Sequence, residues 1–188
     1  MSEKMRVSAI LFVALCMPVQ GIAGELDEIS NYREYSPAFA SSGQPTKAQL
    51  SVLSDNGFQR IVYIAFTNSG KAYPDEDQLV KKLGMNYVQI PVDWEQPSKS
   101  DFYAFAGAME TGPSLKTLVH CQVNYRASAF SFLYRVIFQG VAVSEAKKDM
   151  NSVWQPNETW TAFLLGILQD NDIDPYCDGC DWSAGEAH

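Results

Sequence analysis

The sequence predicts an α/β fold with a mainly parallel central sheet flanked by helices. Three observations carry this expectation. Apolar runs of strand length at 58–66, 87–92 and 115–120 alternate with segments of helical spacing. The helical segments are bracketed by start and stop residues. One of them, 127–139, is apolar almost all round, as a helix must be when it packs on a sheet beneath other helices. With 188 residues, 46% of them apolar and 19% charged, the chain can build one core of ordinary size and not two. A single domain is therefore expected over 24–188.

Residues 25–42 mix polar and apolar positions, with Tyr32, Tyr35 and Phe39 spaced for a leading strand or arm packed on the domain. Thr46 and Gln49 make a capping box for a short helix carrying Leu50 and Leu53, and Asn56-Gly57 supplies its stop. Residues 58–66 read as a buried strand. After a polar loop with Gly70 and Pro74, Asp75 is placed to cap a helix that runs to Leu83 and ends at Gly84. The strand 87–92 precedes a loop, 93–99, and then a helix over 100–110 with Phe102, Phe105 and Met109 on one face. The strand 115–120 leads through a short loop into the helix 127–139, whose only charge is Arg135 and which Gly140 ends. Helices over about 143–153 and 158–168 close the domain before an acidic tail from about 170.

The first residues differ in kind. Lys4 and Arg6 precede an uncharged run from Val7 to Val19, and small residues flank a cleavage point near Ala23 or Gly24, which predicts a signal peptide over 1–23. The run is shorter than the ~20 residues a membrane span needs, so no stable membrane insertion is expected after cleavage. Lipidation at Cys16 is disfavoured by the bulky Leu15 before it. A periplasmic or secreted protein follows. Its net charge of −8 argues against nucleic acid or an anionic membrane as partner. Any anion it binds must meet a local positive site.

Such a site is legible at His120-Cys121-Gln122-Val123-Asn124-Tyr125-Arg126. A strand ending in His-Cys, a short loop ending in Arg and a buried helix let the backbone N–H groups of the loop and the helix N-terminus hold an oxyanion above the Cys121 sulfur. The same field favours the thiolate, making Cys121 a nucleophile. Arg126 would grip the anion in a bidentate fork and stabilise transition-state charge. Gln122, Val123, Asn124, Tyr125, Ala127 and Ser128 are expected around the bound group. His120 is expected to support the loop, since neighbours on a strand point to opposite faces. The loop lacks glycine, and Asn124 is the residue best suited to a positive φ.

These residues resemble the cysteine-dependent tyrosine and dual-specificity phosphatases, and more closely the bacterial beta-lactamase-hydrolase-like family of phosphatase-like domains. The resemblance runs from Ser42-Gly43-Gln44-Pro45, through Val119-His120-Cys121 and Arg126-Ala127-Ser128, to Arg135. It implies a dual-specificity-like phosphatase fold, a phosphate-containing substrate or small oxyanion as ligand, no cofactor, and Gln44 near the site. Tyr87-Val88-Gln89-Ile90-Pro91-Val92-Asp93 is similar to the segment that delivers the phosphatase general acid, which implies that role for Asp93, with Glu95 as the alternative.

The sequence departs from these phosphatases in spacing. They place five residues between Cys and Arg, whereas four separate Cys121 from Arg126. Four is the spacing of many rhodanese-type sulfurtransferases, so a Cys121 persulfide is a second reading and a non-catalytic oxyanion-binding module a third. Cys177 and Cys180 lack a second pair for zinc and are expected to form a local disulfide, leaving Cys121 free. Asp170, Asp172 and Asp174 imitate a calcium loop, but Pro175 stands where glycine is needed. No metal is expected.

Overall fold

The computed structural model describes residues 23–185. The expected signal peptide, with its Cys16 alternative, lies outside the described residues except at its cleavage point.

The sheet has five strands in the order β1-β2-β5-β3-β4: β1 (Arg33–Ser36), β2 (Phe39–Ser42), β3 (Arg60–Tyr63), β4 (Asn86–Gln89) and β5 (Thr117–His120). Only β1 runs antiparallel, paired with β2; the remaining pairs are parallel. The leading arm is thus a hairpin whose second strand enters the sheet beside β5. Its pattern is hard to read because β2, Phe-Ala-Ser-Ser, is buried throughout while half its residues are polar. Ser41 satisfies its hydroxyl against Tyr35 at 2.7 Å, and Ser42 donates to the Gly43 carbonyl, also at 2.7 Å.

Among the described residues seven helices cover the sheet: α1 (Ala23–Asp27), α2 (Lys47–Asp55), α3 (Glu76–Lys82), α4 (Lys99–Glu110), α5 (Tyr125–Ile137), α6 (Val143–Asn151) and α7 (Glu158–Asp170). The capping box at Thr46 and Gln49 is formed. Asp75 precedes α3 as expected but makes no side-chain cap, because its carboxylate is bound to the Lys47 ammonium at 2.8 Å. Helix α5 begins at Tyr125, two residues before the expected start, which places Arg126 in its first turn.

Neighbouring strand residues divide between two cores. Ile61, Leu118 and Ala40 join Leu50, Leu53 and Val80 on one face, whereas Val62, Val119 and Phe39 join Phe102, Phe130 and Leu164 on the other. Helices α1 to α3 therefore cover one face and α4 to α7 the other. β5 lies between β2 and β3, with His120 level with Ser42 and Tyr63. Whatever follows His120 emerges at the middle of the sheet's carboxyl edge, where open α/β sheets bind ligands. Among the described residues no helix is long and apolar enough to cross a membrane.

Candidate active site

Cys121 is the first residue beyond β5, and its N–H donates to the Ser42 carbonyl at 3.3 Å. Asn124 adopts φ 73° and ψ 0°, the left-handed conformation expected of it in a loop without glycine. That single residue turns the chain from the strand into α5. The 43–44 segment braces the loop from outside. Gln44 N donates to the Gln122 carbonyl at 3.2 Å, and Gly43 approaches so closely that a Cβ there would stand 3.1 Å from the same oxygen.

A cleft of about 270 Å³ opens above the loop, lined by Trp94, Cys121, Gln122, Val123, Tyr125 and Arg126. The structure thus brings Cys121 and Arg126 to one cavity. Cys121 is 1% exposed and is the free cysteine of the described chain. The Arg126 guanidinium lies over the Trp94 ring, 5.3 Å from its centroid, and its buried Nε has no protein partner. A buried cationic donor without an acceptor suits an incoming anion.

Other expected site residues sit elsewhere. The side chains of Asn124, Ala127 and Ser128 are buried and do not line the cleft. Ala127 belongs to the core, and the Ser128 hydroxyl donates to the Tyr125 carbonyl and accepts from Trp154 Nε1, each at 3.1 Å. Ser128 therefore shapes the helix start and anchors an indole. Asp93 and Glu95 are exposed and also lie outside the lining. Asp93 Oδ1 accepts from the N–H groups of Glu95 at 2.8 Å and Gln96 at 3.3 Å, forming an Asx turn that presents Trp94 to the cleft. His120 is completely buried and, instead of supporting the loop through a hydrogen bond, faces Glu76, with Nε2 3.2 Å from Oε1. Gln44 joins the same carboxylate, donating from Nε2 at 2.9 Å. Burial pushes the neighbouring Tyr63 hydroxyl up to about 12, with Glu76 and Cys121 adding to that effect and Arg126 opposing it.

Sequence reasoning missed the aromatic wall. Trp94 lies 5.3 Å from both Trp154 and Trp160, and Tyr125 stacks on Trp154 at 4.8 Å and 6°. Three of the four tryptophans therefore gather beside the loop. The available signal was Trp94 directly after Asp93; Trp154 and Trp160 come from distant helix boundaries and carry no local mark. Among the described residues no cluster of His, Cys, Asp and Glu suits a metal. Cys177 and Cys180 are paired in the tail, with Cα atoms 5.1 Å apart.

This geometry supplies a thiol, a helix N-terminus and a guanidinium around one small cavity, which can hold a tetrahedral oxyanion next to a nucleophile. The family described as DSP-PTPase phosphatase fused to NAD+ kinase matches residues 14–161. Among solved structures, the chain is similar to a DUF442 protein of Shewanella putrefaciens CN-32 described as a candidate phosphatase. They share 35% identity over 79% of this chain and 97% of that one, with a TM-score of 0.71. TpbA of P. aeruginosa aligns at 16% identity over 73% and 84% of the two chains, TM-score 0.58. The core catalytic domain of the PP-IP phosphatase SIW14 from S. cerevisiae aligns at 15% over 77% and 94%, TM-score 0.58. These last two show the fold alone. A search of curated proteins found no match.

Proposed function

This chain belongs to the DSP-PTPase family, and from that premise we propose that it is an exported phosphatase that hydrolyses a phosphomonoester through a phospho-Cys121 intermediate. The observation that carries the proposal is the convergence of Cys121 and Arg126 on one cleft at the head of α5. The Cys121 thiolate attacks phosphorus, the ester P–O bond breaks, and Asp93 gives its proton to the departing oxygen. Water then attacks the phosphocysteine, with Asp93 taking up the proton, and inorganic phosphate leaves. Arg126 binds two equatorial oxygens in both steps. The acid role of Asp93 is supported by the likeness of its segment to the one that delivers the phosphatase general acid, and Asp93 stands directly before Trp94, which lines the cleft. Export is supported by the basic, apolar and small-residue order of residues 1–23. An oxyanion ligand is supported by the structures of TpbA with phosphotyrosine and SIW14 with citrate.

Turnover of an aryl phosphate tests the reading. Activity is expected to vanish in Cys121→Ser and to fall steeply in Arg126→Lys, because lysine cannot supply the fork. Wild-type turnover no greater than that of Cys121→Ser would remove the proposal. The four-residue spacing between Cys121 and Arg126 favours a second reading, sulfur transfer through a Cys121 persulfide. It would be recognised by intact-mass gain of one sulfur atom after thiosulfate treatment.

A further inference from the structure

The tail pair Cys177 and Cys180 stands outside the chemistry proposed above. The turn between them is held without help from a bond between the sulfurs. Cys180 N donates to the Cys177 carbonyl at 2.9 Å, and Gly179 supplies the left-handed residue at φ 79°. Trp182 Nε1 donates to the Pro175 carbonyl at 2.9 Å, which closes the chain around the pair from outside. A bond between residues three positions apart closes only a short loop, so it removes little entropy from the unfolded chain. Stability alone does not account for the pair.

Charge is distributed unevenly around the two cysteines. Cys180 lines a cavity of about 320 Å³ between α6 and the tail, together with Lys147 and Lys148. Lys147 is 2% exposed, its ammonium held by Asn151 Oδ1 at 3.3 Å and by the Trp182 ring, whereas Lys148 is exposed. Against these two cations the lining sets one carboxylate, Asp178. The flanking acids are occupied in turns of their own. Asp174 Oδ1 accepts from Tyr176 N at 2.9 Å, and Asp181 accepts from the N–H and the hydroxyl of Ser183, each at 2.8 Å. Cys177 does not line this cavity and follows Tyr176, which is 72% exposed. Negative charge appearing on sulfur is therefore better received at Cys180 than at Cys177.

We propose that Cys177 and Cys180 form a disulfide that exchanges with an external dithiol, Cys177 being the sulfur attacked and Cys180 the sulfur released. One substrate thiol gives its proton to solvent and attacks Cys177 Sγ. The Cys177–Cys180 bond breaks, and its electron pair leaves on Cys180 Sγ beside the two ammonium groups. The second substrate thiol, also deprotonated, attacks the substrate sulfur of the mixed disulfide and breaks its bond to Cys177. Cys177 and Cys180 each take up a proton from solvent. The tail pair has gained two electrons, and the substrate leaves as a disulfide. The Trp182 contacts are common to both states, so the tail keeps its seat on the domain. The site is separate from Cys121, which is 1% exposed, and it does not depend on phosphate-ester turnover.

Exchange is measured on the full chain carrying Cys121→Ser, which leaves the tail pair as the only cysteines of residues 24–188. The non-reduced protein is pulsed with 2-mercaptoethanol, quenched with N-ethylmaleimide and mapped by peptide mass. The mercaptoethanol adduct is expected on Cys177 and the maleimide on Cys180, about tenfold over the opposite arrangement. The second-order rate of opening by dithiothreitol is expected to fall about tenfold when Lys147→Gln and Lys148→Gln are combined. It should fall about threefold in Lys148→Gln alone and stay at the parent rate in Lys148→Arg. Adducts mainly on Cys180 overturn the inference, and so do rates within about twofold of one another in the parent and the combined variant. If loss of the buried Lys147 abolishes cooperative melting, Lys148→Gln and Lys148→Arg carry the rate test, and equal rates in those two overturn it. A reduced peptide with two cysteines separates the sources of the dithiol. Its oxidation with loss of the tail bond assigns polypeptide substrates, and exchange with dithiothreitol alone assigns small ones.

Discussion

Asn31 and Asn124, separated by 93 residues, clasp each other at the base of the active loop. Asn124 Nδ2 donates to the Asn31 carbonyl at 2.6 Å, while Asn31 Nδ2 donates to the Val123 carbonyl at 2.9 Å. Both residues are left-handed, with φ 51° and 73°. Each conformation is unfavourable for a side-chain-bearing residue, and the reciprocal hydrogen bonds offset that cost. The turn before β1 is therefore a structural part of a loop 93 residues further along the chain, in place of the glycine the loop does not have.

The clasp separates two contributions that substitution at Asn124 can measure. Asn124→Gly keeps the backbone conformation and loses the hydrogen bond to Asn31, a loss of about 1 kcal/mol. Asn124→Ala loses the bond and also meets the left-handed penalty of about 1–2 kcal/mol. Denaturant unfolding is expected to rank wild type above glycine above alanine, with turnover in the same order. An alanine variant as stable as the glycine variant would show that the backbone at Asn124 is not held as described.

Trp94 is expected to act through its ring face as well as its bulk. Its indole covers the Arg126 guanidinium at 5.3 Å, whereas the hydrogen bond from Trp160 Nε1 goes to the Trp94 backbone and survives substitution. Trp94→Phe keeps a face for the cation, and Trp94→Leu fills space without one. We expect kcat/KM near wild type for phenylalanine and about tenfold lower for leucine, the size of a partly desolvated cation–π contact. Equal losses in the two variants would assign Trp94 to packing alone.

For Asp93 the useful substitution is asparagine, because its Oδ1 can accept from the same Glu95 and Gln96 amides and so preserve the turn. A general acid matters most when the leaving oxygen is basic. Asp93→Asn is therefore expected to lower kcat about 100-fold on an alkyl phosphate and far less on a nitrophenyl phosphate. A uniform loss across leaving groups would point to loop geometry, and no loss at all would transfer attention to Glu95.

Much of this arrangement was legible because it is written locally. The capping box at Thr46, the strand into Cys121, the left-handed Asn124 and an α5 buried from Ala127 to Val136 each follow from residues a few positions apart. What escaped reading is long-range. β2 hides because Ser41 and Ser42 are buried polar residues whose partners cannot be inferred from spacing. Glu76 looks like an ordinary acidic residue in a helix's first turn, and only the fold reveals that His120 and Gln44 converge on it. Ser128 reads as a substrate hydroxyl until Trp154, 26 residues on, is seen to use it. Asp75 reads as a cap until Lys47, from α2, is found beside it.

The tail offers the last prediction, concerning how Cys121 remains a free thiol. Cys177 and Cys180 are close in the structure, and the residues after them fold back on the domain by other means. Trp182 lies over the Lys147 ammonium at 4.6 Å and meets Phe132 edge-on at 5.9 Å. Gln155 Nε2 donates to the Ser183 carbonyl at 2.8 Å, and Gly185 N to the Pro156 carbonyl at 2.9 Å. Burial holds the Lys147 ammonium below the usual lysine range, with Asp181 opposing the shift, so the contact with Trp182 is one made largely away from water. Because these anchors lie outside the cysteine pair, replacing both cysteines by serine should loosen the short loop between Ile173 and Asp181 without freeing the strap. Hydrogen exchange is expected to quicken across 174–181 while aryl phosphate turnover stays within about twofold, an estimate resting on the loop's small share of the buried contacts. In the non-reduced protein, alkylation followed by peptide mapping should label Cys121 and leave Cys177 and Cys180 joined to each other. A dominant bond from either tail cysteine to Cys121 would contradict this account, since it would require the tail to leave its seat on Trp182 and cross to the cleft, and it would make the site's activity depend on reductant.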